Sequence, residues 1–165
     1  MLHRRNTTRL FGLSKIVAAT ALALSALNGV ADVEFHPDIG GLPPGLPFSP
    51  AVRVNDVYYL SGQVGNAPGE MRVVPGGIEA EARQTLKNIR GVLLALGLDL
   101  RDVVKCTVML EDIDEWGAFN AVYQEVFSAP YPARSAFGAD GLALGARVEV
   151  ECLAAARDTP AGDSP

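Results

Sequence analysis

The clearest pattern in the chain is a helical repeat of apolar residues within positions 77–99. Apolar side chains recur there at steps of three or four residues, which places them on one face of a helix: Ile78, Ala82, Leu86, Ile89, Leu93 and Leu96. Glu79 and Glu81 fall in the first turn, where the helix dipole favours negative charge, and Gly97 stands where helices commonly end. A second helix is predicted over 112–129, with an apolar stripe formed by Trp116, Phe119, Val122, Tyr123 and Phe127.

Apolar runs between the turn residues predict the strands. The segment 52–61 is typical of a hairpin, with Asn55 and Asp56 in its turn. Further strands are predicted over 71–74, 102–112, 134–138 and 147–155. Strands that alternate with two helices predict a sheet of which both helices cover one face.

The two long strands each have an inner and an outer face. In the 102–112 strand the inner face is predicted to contain Val104, Cys106, Val108 and Leu110. In the last strand the inner face contains Val148, Val150, Cys152 and Ala154, and the outer face contains Arg147, Glu149, Glu151 and Leu153. The outer face has no helix to cover it. It can be solvated or packed in an oligomer, and the pattern leaves both possibilities open.

The first 31 residues have the three parts of a secretory signal peptide. A basic head precedes the apolar run 16–27, which is too short to span a bilayer, and small residues follow. Cleavage is predicted after Ala31, which makes the protein exported and periplasmic without stable membrane insertion; an uncleaved amphipathic anchor is the alternative. Residues 32–47, rich in Pro and Gly, are expected to form an irregular arm, 48–157 the folded domain and 158–165 a flexible tail.

Loss of the leader would make the chain more acidic. The full chain has a net charge of −5, and the leader contains four of its 14 basic residues and none of its 19 acidic ones. The mature chain would then have 10 basic against 19 acidic residues, a net charge of −9. Such a surface repels phosphate backbones, so nucleic acid is not an expected partner.

Two cysteines are present, Cys106 and Cys152, both within predicted strands. The favoured interpretation is two buried small side chains, and a disulfide is the alternative.

The mature chain offers few catalytic residue types. Its one histidine, His36, argues against a catalytic triad and against sites built from several histidines. No CxxC, HExxH or P-loop pattern occurs, and neither metal nor cofactor is expected. An arginine can bind a carboxylate through two hydrogen bonds, and a glutamate can activate water, so Arg134 and Glu149 suit hydrolysis of a small anionic electrophile. A structural ion pair between neighbouring strands is the alternative for these two residues.

Three segments closely resemble the Rid family, the reactive intermediate deaminases, also called YjgF-type proteins. They are YLSGQVG (59–65), the stretch 81–127 that contains FNAVY, and YPARSAFGADGLALGARVEVECLAAA (131–156). The resemblance covers about residues 45–157. It implies a chorismate-mutase-like α+β fold assembled as a homotrimer, in which the uncovered sheet faces pack around the three-fold axis and ligand clefts lie between subunits.

The resemblance also implies an activity, the hydrolysis of enamines and imines such as 2-aminoacrylate to 2-keto acids and ammonia. Arg134 would bind the carboxylate of the substrate and Glu149 would position the attacking water. The other expected substrate-binding positions are Phe48, Ser61, Gly62 and Asn120. Phe48 stands where archetypal deaminases have a tyrosine, and Ala136 stands where the family often has a cysteine.

Two other functions are considered. Phe48, which lacks a hydroxyl, and the predicted export favour a non-catalytic trimer that binds small carboxylates or acts as a chaperone. A ribonuclease, an activity sometimes attributed to the family, is disfavoured by the charge of the mature chain and by the lack of a histidine pair.

Overall fold

The computed structural model describes residues 30–40 and 45–157; the predicted C-terminal tail and, up to residue 29, the predicted signal peptide lie outside this part. Within it the chain forms, in order, β1 (Val33–His36), β2 (Ala51–Val54), β3 (Val57–Leu60), β4 (Gln63–Val64), α1 (Gly77–Ala95), β5 (Val103–Leu110), α2 (Trp116–Val126), β6 (Ala133–Gly138) and β7 (Val148–Ala155). No helix of the described residues combines the length and the apolar character that a membrane crossing requires.

The strands form one mixed sheet in the order β1-β2-β3-β7-β5-β6, and β4 also pairs with β7. β5 and β6 run parallel, joined by a crossover through α2, and the other pairs are antiparallel. Buried residues of both helices join the inner residues of β5 and β7 in a single core. The predicted mixed sheet with two helices on one face is therefore confirmed.

The predicted apolar stripes account for most of this core. The α1 stripe is confirmed, with Ala82, Leu86, Ile89 and Leu93 fully buried. The α2 stripe is confirmed for Phe119, Val122, Tyr123 and Phe127, which are all buried. Trp116 is the first residue of α2 and is 47% exposed, so the prediction is wrong there and the buried stripe begins one turn later.

Part of the arm predicted to be irregular is a strand. Residues 33–36 form β1, which pairs with β2 so that Phe35 lies opposite Val52. Arg53 of β2 also bonds the carboxylates of Asp32 and Glu34, at 2.8 and 2.9 Å. These partners are distant in sequence, so the local Pro- and Gly-rich composition does not reveal them. Conversely, the short strand predicted over 71–74 is reduced to a single bridge between Asn66 and Val73.

A bulge near the start of β5 changes which residues face the core. The register with β7 shifts between Val103 and Lys105, so that Val103 is buried and Val104 is 43% exposed. The predicted inner face is therefore wrong at Val104, because the extra residue of a bulge reverses the alternation. It is confirmed at Cys106, Val108 and Leu110, which are fully buried.

Cys106 and Cys152 lie directly opposite each other on β5 and β7 and form a disulfide, with their Cα atoms 4.1 Å apart. The described residues contain no free cysteine. The favoured interpretation of two unpaired side chains is therefore wrong. Pairing requires that the two strands be neighbours in the correct register, and the strand order provides both conditions.

Candidate active site

Arg134 lies on β6, at the edge of the sheet. It is in register with Cys106, whose side chain is buried in the core, so Arg134 points towards the helix-covered face. There its guanidinium lies over the ring of Tyr123, with Cζ 4.7 Å from the ring centroid, and 5.8 Å from the centroid of Phe119. Both rings belong to α2, so the crossover helix supplies the surface on which the arginine rests.

Asn120 of α2 holds one side of this guanidinium. Nη2 of Arg134 donates a hydrogen bond to Oδ1 of Asn120 at 2.6 Å. Arginine has only donors, so the amide oxygen must face it, and the amide nitrogen of Asn120 is left to donate elsewhere. Asn120, predicted as a substrate-binding position, therefore also orients Arg134.

The positive charge of Arg134 is not neutralised by an acidic side chain of the described residues. Apart from exposed Arg101, every other arginine in that part of the chain has such a partner. Arg134 opens instead on a cavity of about 290 Å³ lined by Asn120, Tyr123, Gln124, Tyr131, Pro132 and Arg134 itself. A free guanidinium in such a cavity is suited to bind a carboxylate.

A larger cavity, of about 670 Å³, lies beside the N-terminal end of α1 and includes Arg72 and Arg147 in its lining. Both arginines are already paired, Arg72 with Glu70 and Arg147 with Glu115. This cavity therefore offers no free cation for an anionic substrate, and the smaller cavity at Arg134 is the better candidate site.

Glu149 lies on β7 between buried Val148 and Val150, so its side chain points to the face that the helices do not cover. It is half-buried, and within the described residues it makes no side-chain hydrogen bond or ion pair. Burial raises the pKa of the Glu149 carboxyl, and the negative charge of Glu151 raises it further. Such a carboxyl can exchange a proton with a reacting group more readily than an ordinary, fully solvated one.

Gly62 leaves the space that the carboxylate of Glu149 occupies. A Cβ atom at Gly62 would overlap Oε1 of Glu149 and would lie 2.9 Å from its Cδ. Since Gly62 has no positive φ, the space for Glu149 is what requires glycine here.

Ser61 precedes Gly62 in the chain, and Phe48 precedes Ser49, to which Ser61 is bonded. The hydroxyl of Ser61 donates to the carbonyl oxygen of Ser49 at 2.7 Å, which ties the end of β3 to the segment that carries Phe48. The phenyl ring of Phe48 is 47% exposed. We call Phe48, Ser61, Gly62 and Glu149 the glutamate half, and Asn120, Tyr123 and Arg134 the arginine half.

The two halves do not meet within one chain. β5 separates β6 from β7; Arg134 lies opposite Cys106 on β5, and Glu149 lies opposite Met109. The two side chains also point to opposite faces of the sheet. The alternative interpretation, a structural ion pair between Arg134 and Glu149, is therefore wrong.

Arg147 also differs from its prediction. It precedes β7, and its guanidinium bonds the carboxylate of Glu115 just before α2, while its backbone N–H donates to Glu81 at 2.8 Å. Arg147 was predicted on the outer face of the last strand with Glu149. Its acidic partners hold it beyond the end of that strand instead, so it does not share this face with Glu149.

Sequence reasoning assigned Tyr123 to the core and missed its contact with Arg134. Its hydroxyl is buried and has no hydrogen-bond partner, and burial raises its pKa. The three-residue spacing from Asn120 to Tyr123 places both on one side of α2, which could have indicated a shared role. No group of His, Cys, Asp or Glu side chains in the described residues is arranged to hold a metal ion.

Comparisons with known proteins show which sequences and structures this chain resembles. The family described as endoribonuclease L-PSP matches residues 41–156. The 2-iminobutanoate/2-iminopropanoate deaminase of Mus musculus is 44% identical over 108 residues, which are 66% of this chain and 80% of the mouse protein. The crystal structure of RidA from an Antarctic Psychrobacter superposes with a TM-score of 0.69 at 34% identity, over 74% of this chain and all of the other. That of E. coli TdcF with bound serine has a TM-score of 0.68 at 27% identity, over 75% of this chain and all of the other.

Proposed function

Because the chain belongs to the Rid family, the YjgF-type proteins that the endoribonuclease L-PSP description covers, we propose that it is an enzyme that hydrolyses reactive enamines and imines to 2-keto acids and ammonia. Its substrates would resemble 2-aminoacrylate and the 2-imino acids that arise from it. Support comes from the relative named as an imine deaminase and from E. coli TdcF, whose structure holds serine, a small carboxylate.

The observation that carries the proposal is the unneutralised guanidinium of Arg134 in its cavity. A 2-imino acid has a planar carboxylate next to its C=N carbon. Arg134 would hold that carboxylate through two hydrogen bonds and so fix the position of the carbon that water attacks.

Glu149 would transfer the protons. As the oxygen of water bonds to the C=N carbon, Glu149 takes a proton from the water and passes it to the imine nitrogen, which gives a neutral adduct with one hydroxyl and one amino group. Glu149 then takes the proton of that hydroxyl as the carbonyl of the keto acid forms and passes it to the amino nitrogen, so the C–N bond breaks and ammonia leaves. A carboxyl with a raised pKa suits both steps, because it holds a proton more tightly than an ordinary glutamate and still releases it.

Since one chain separates the two halves, the proposal includes a homotrimer whose clefts join the arginine half of one copy to the glutamate half of the next. The uncovered sheet face supports this assembly. It carries Phe35, Tyr59 and Phe137, which are 65%, 48% and 48% exposed in the single chain. Burial of such side chains against another copy would stabilise an oligomer.

Ammonia release from enzymatically generated 2-iminobutanoate tests the activity. We expect Arg134→Ala to abolish the acceleration that the wild-type protein provides. The matched control is Arg72→Ala, since that arginine is exposed and bonds only Glu70. Equal activity of the Arg134 variant and the wild type would refute the proposed role.

Mixed oligomers test the shared cleft. Arg134→Ala and Glu149→Gln should each be inactive alone. After unfolding and refolding together in equal amounts, about a quarter of the clefts would combine an intact Arg134 with an intact Glu149 from its neighbour, so about a quarter of the wild-type activity should return. No recovery, with trimers present by light scattering, would show that the two residues do not share an inter-subunit cleft.

The second candidate function is a non-catalytic trimer that binds small carboxylates or acts as a chaperone. Phe48 favours it, because its exposed phenyl ring has no hydroxyl to offer a substrate. Calorimetric titration with 2-oxobutanoate separates the two functions. Binding that depends on Arg134, without any turnover of imines, would favour the non-catalytic protein.

Export to the periplasm is the remaining part of the proposal. The leader-like sequence supports it, and so does the disulfide, because disulfides persist in oxidising compartments. Mass spectrometry of the protein from a periplasmic fraction should find Asp32 as the first residue. Full-length protein confined to the cytoplasm would refute export.

A further inference from the structure

The geometry around Arg134 points to a positioning residue that the family resemblance did not supply. We propose that the aromatic ring of Tyr123 holds the guanidinium of Arg134 in its binding orientation, and that the Tyr123 hydroxyl contributes nothing to this role. The inference deepens the proposed function and rests on Arg134 as its carboxylate anchor.

One hydrogen bond does not fix a guanidinium. The bond to Asn120 restrains Nη2, but the plane of the group can still turn about that contact. The ring of Tyr123 lies 4.7 Å from Cζ, within the range of a cation–π interaction, and it closes off one face of the group. It also keeps water from that face, which strengthens the attraction between the remaining donors and a carboxylate.

The ring is itself held firmly. Tyr123 is 4% exposed, and its ring stacks on Phe127 at a centroid distance of 4.5 Å and contacts Phe119 at 5.8 Å. An arginine resting on this aromatic group therefore loses little additional freedom when it binds an anion.

The hydroxyl of Tyr123 is not needed for any of these contacts. It is buried and has no hydrogen-bond partner. Burial raises its pKa, so the ring remains a neutral phenol that does not compete with a substrate carboxylate for Arg134. A phenyl ring at this position should therefore hold the guanidinium of Arg134 equally well.

Calorimetric binding of 2-oxobutanoate and the kinetics of imine hydrolysis test the role in the full-length protein. Tyr123→Phe should keep Kd and KM within about twofold of wild type. Tyr123→Leu should raise both about tenfold, the loss of a partly desolvated cation–π contact, while kcat at saturation falls less. Val122→Ala is the matched control: it removes buried volume from the same helix and should lower the melting temperature without changing Kd.

Phenylalanines with increasing fluorination at position 123 avoid a large change in packing. They keep the shape of the ring while weakening its negative face, so Kd should rise in step with fluorination. The inference would be overturned if Tyr123→Leu had the Kd of the wild type. It would also be overturned if Tyr123→Phe or Val122→Ala weakened binding as much as Tyr123→Leu does, or if the wild-type protein bound no 2-keto acid. A wild type that binds 2-oxobutanoate but hydrolyses no imine would refute the deaminase alone, because the Kd series still decides the role of Tyr123.

Discussion

Arg134 and Glu149 are held in different ways within the same sheet. Arg134 rests against α2, bonded by Asn120 and covered by two aromatic rings, next to the disulfide-linked core. Glu149 stands on the uncovered face, half-buried, with no side-chain partner of its own in the described residues and with a glycine beside it. One chain thus supplies the contacts of the proposed carboxylate anchor, whereas the proposed acid–base group has no bonded partner in the described residues. Because the two groups are held separately, the proposed binding and the proposed proton transfer should be open to separate alteration.

The largest expected effect comes from filling the space beside Glu149. Gly62→Ala would place a methyl group where the carboxylate now lies and so displace it. Because removal of a general acid–base group typically costs 10² to 10⁴ in rate, we expect kcat to fall about a thousandfold. The Kd for 2-oxobutanoate should change much less, since the anchor is in the other half. Steady-state kinetics and calorimetry on the same preparation measure both quantities.

Gly91→Ala is the control for this substitution. Gly91 lies in α1, where an added Cβ meets no atom within 4 Å, so alanine should stabilise the helix by about 1 kcal/mol and leave activity unchanged. If Gly62→Ala proved fully active, catalysis would not depend on the present position of the Glu149 carboxylate.

The next largest effect should be on stability and should come from the disulfide behind the anchor. Cys106 and Cys152 close a sequence separation of 46 residues, and loop-closure estimates for such a length predict a loss of about 4 kcal/mol in the free energy of unfolding for Cys106→Ala/Cys152→Ala. Denaturant unfolding measures it. A reducing agent should destabilise the wild type and leave the double variant unaffected; the same response in both proteins would contradict a structural role for the disulfide.

Asn120 tests the anchor itself, with a smaller effect. Asn120→Ala removes the hydrogen bond to Arg134, and because bonds to charged groups contribute about 2 kcal/mol, the Kd for 2-oxobutanoate should rise about thirtyfold. Asn120→Asp keeps an acceptor in place but adds a charge that pairs with Arg134, so it should weaken binding further than Asn120→Ala does. Tighter binding in the aspartate variant than in the alanine variant would show that the free charge of Arg134 is not what attracts the ligand.

How much of this could be predicted from the sequence depends on the range of the interactions. The helices and long strands follow from local periodicity, and the buried Leu86 and Phe119 confirm it. β1 was missed because its partner strand is distant in the chain. The burial of Val103 was missed because a bulge depends on the neighbouring strand. The family resemblance supplied the candidate site residues. It could not show that Arg134 and Glu149 point to opposite faces, since that follows from the register of their strands with β5, nor that Tyr123 lies under the guanidinium.

The smallest expected effect concerns the pH dependence of the glutamate half. The pKa of Glu149 is raised mainly by burial and secondarily by Glu151, which lies two residues along the same strand and face. A general base must be deprotonated to take a proton from water, so the raised pKa moves the acid limb of kcat/KM to higher pH than an ordinary glutamate would give.

Glu151→Gln removes the neighbouring charge but not the burial. The acid limb should therefore move to lower pH without reaching the position of a solvated glutamate, while the plateau value of kcat stays within about twofold of wild type. A pH–rate profile of the two proteins measures the shift; a limb that moved to higher pH in the glutamine variant would mean that Glu149 is not the group that titrates.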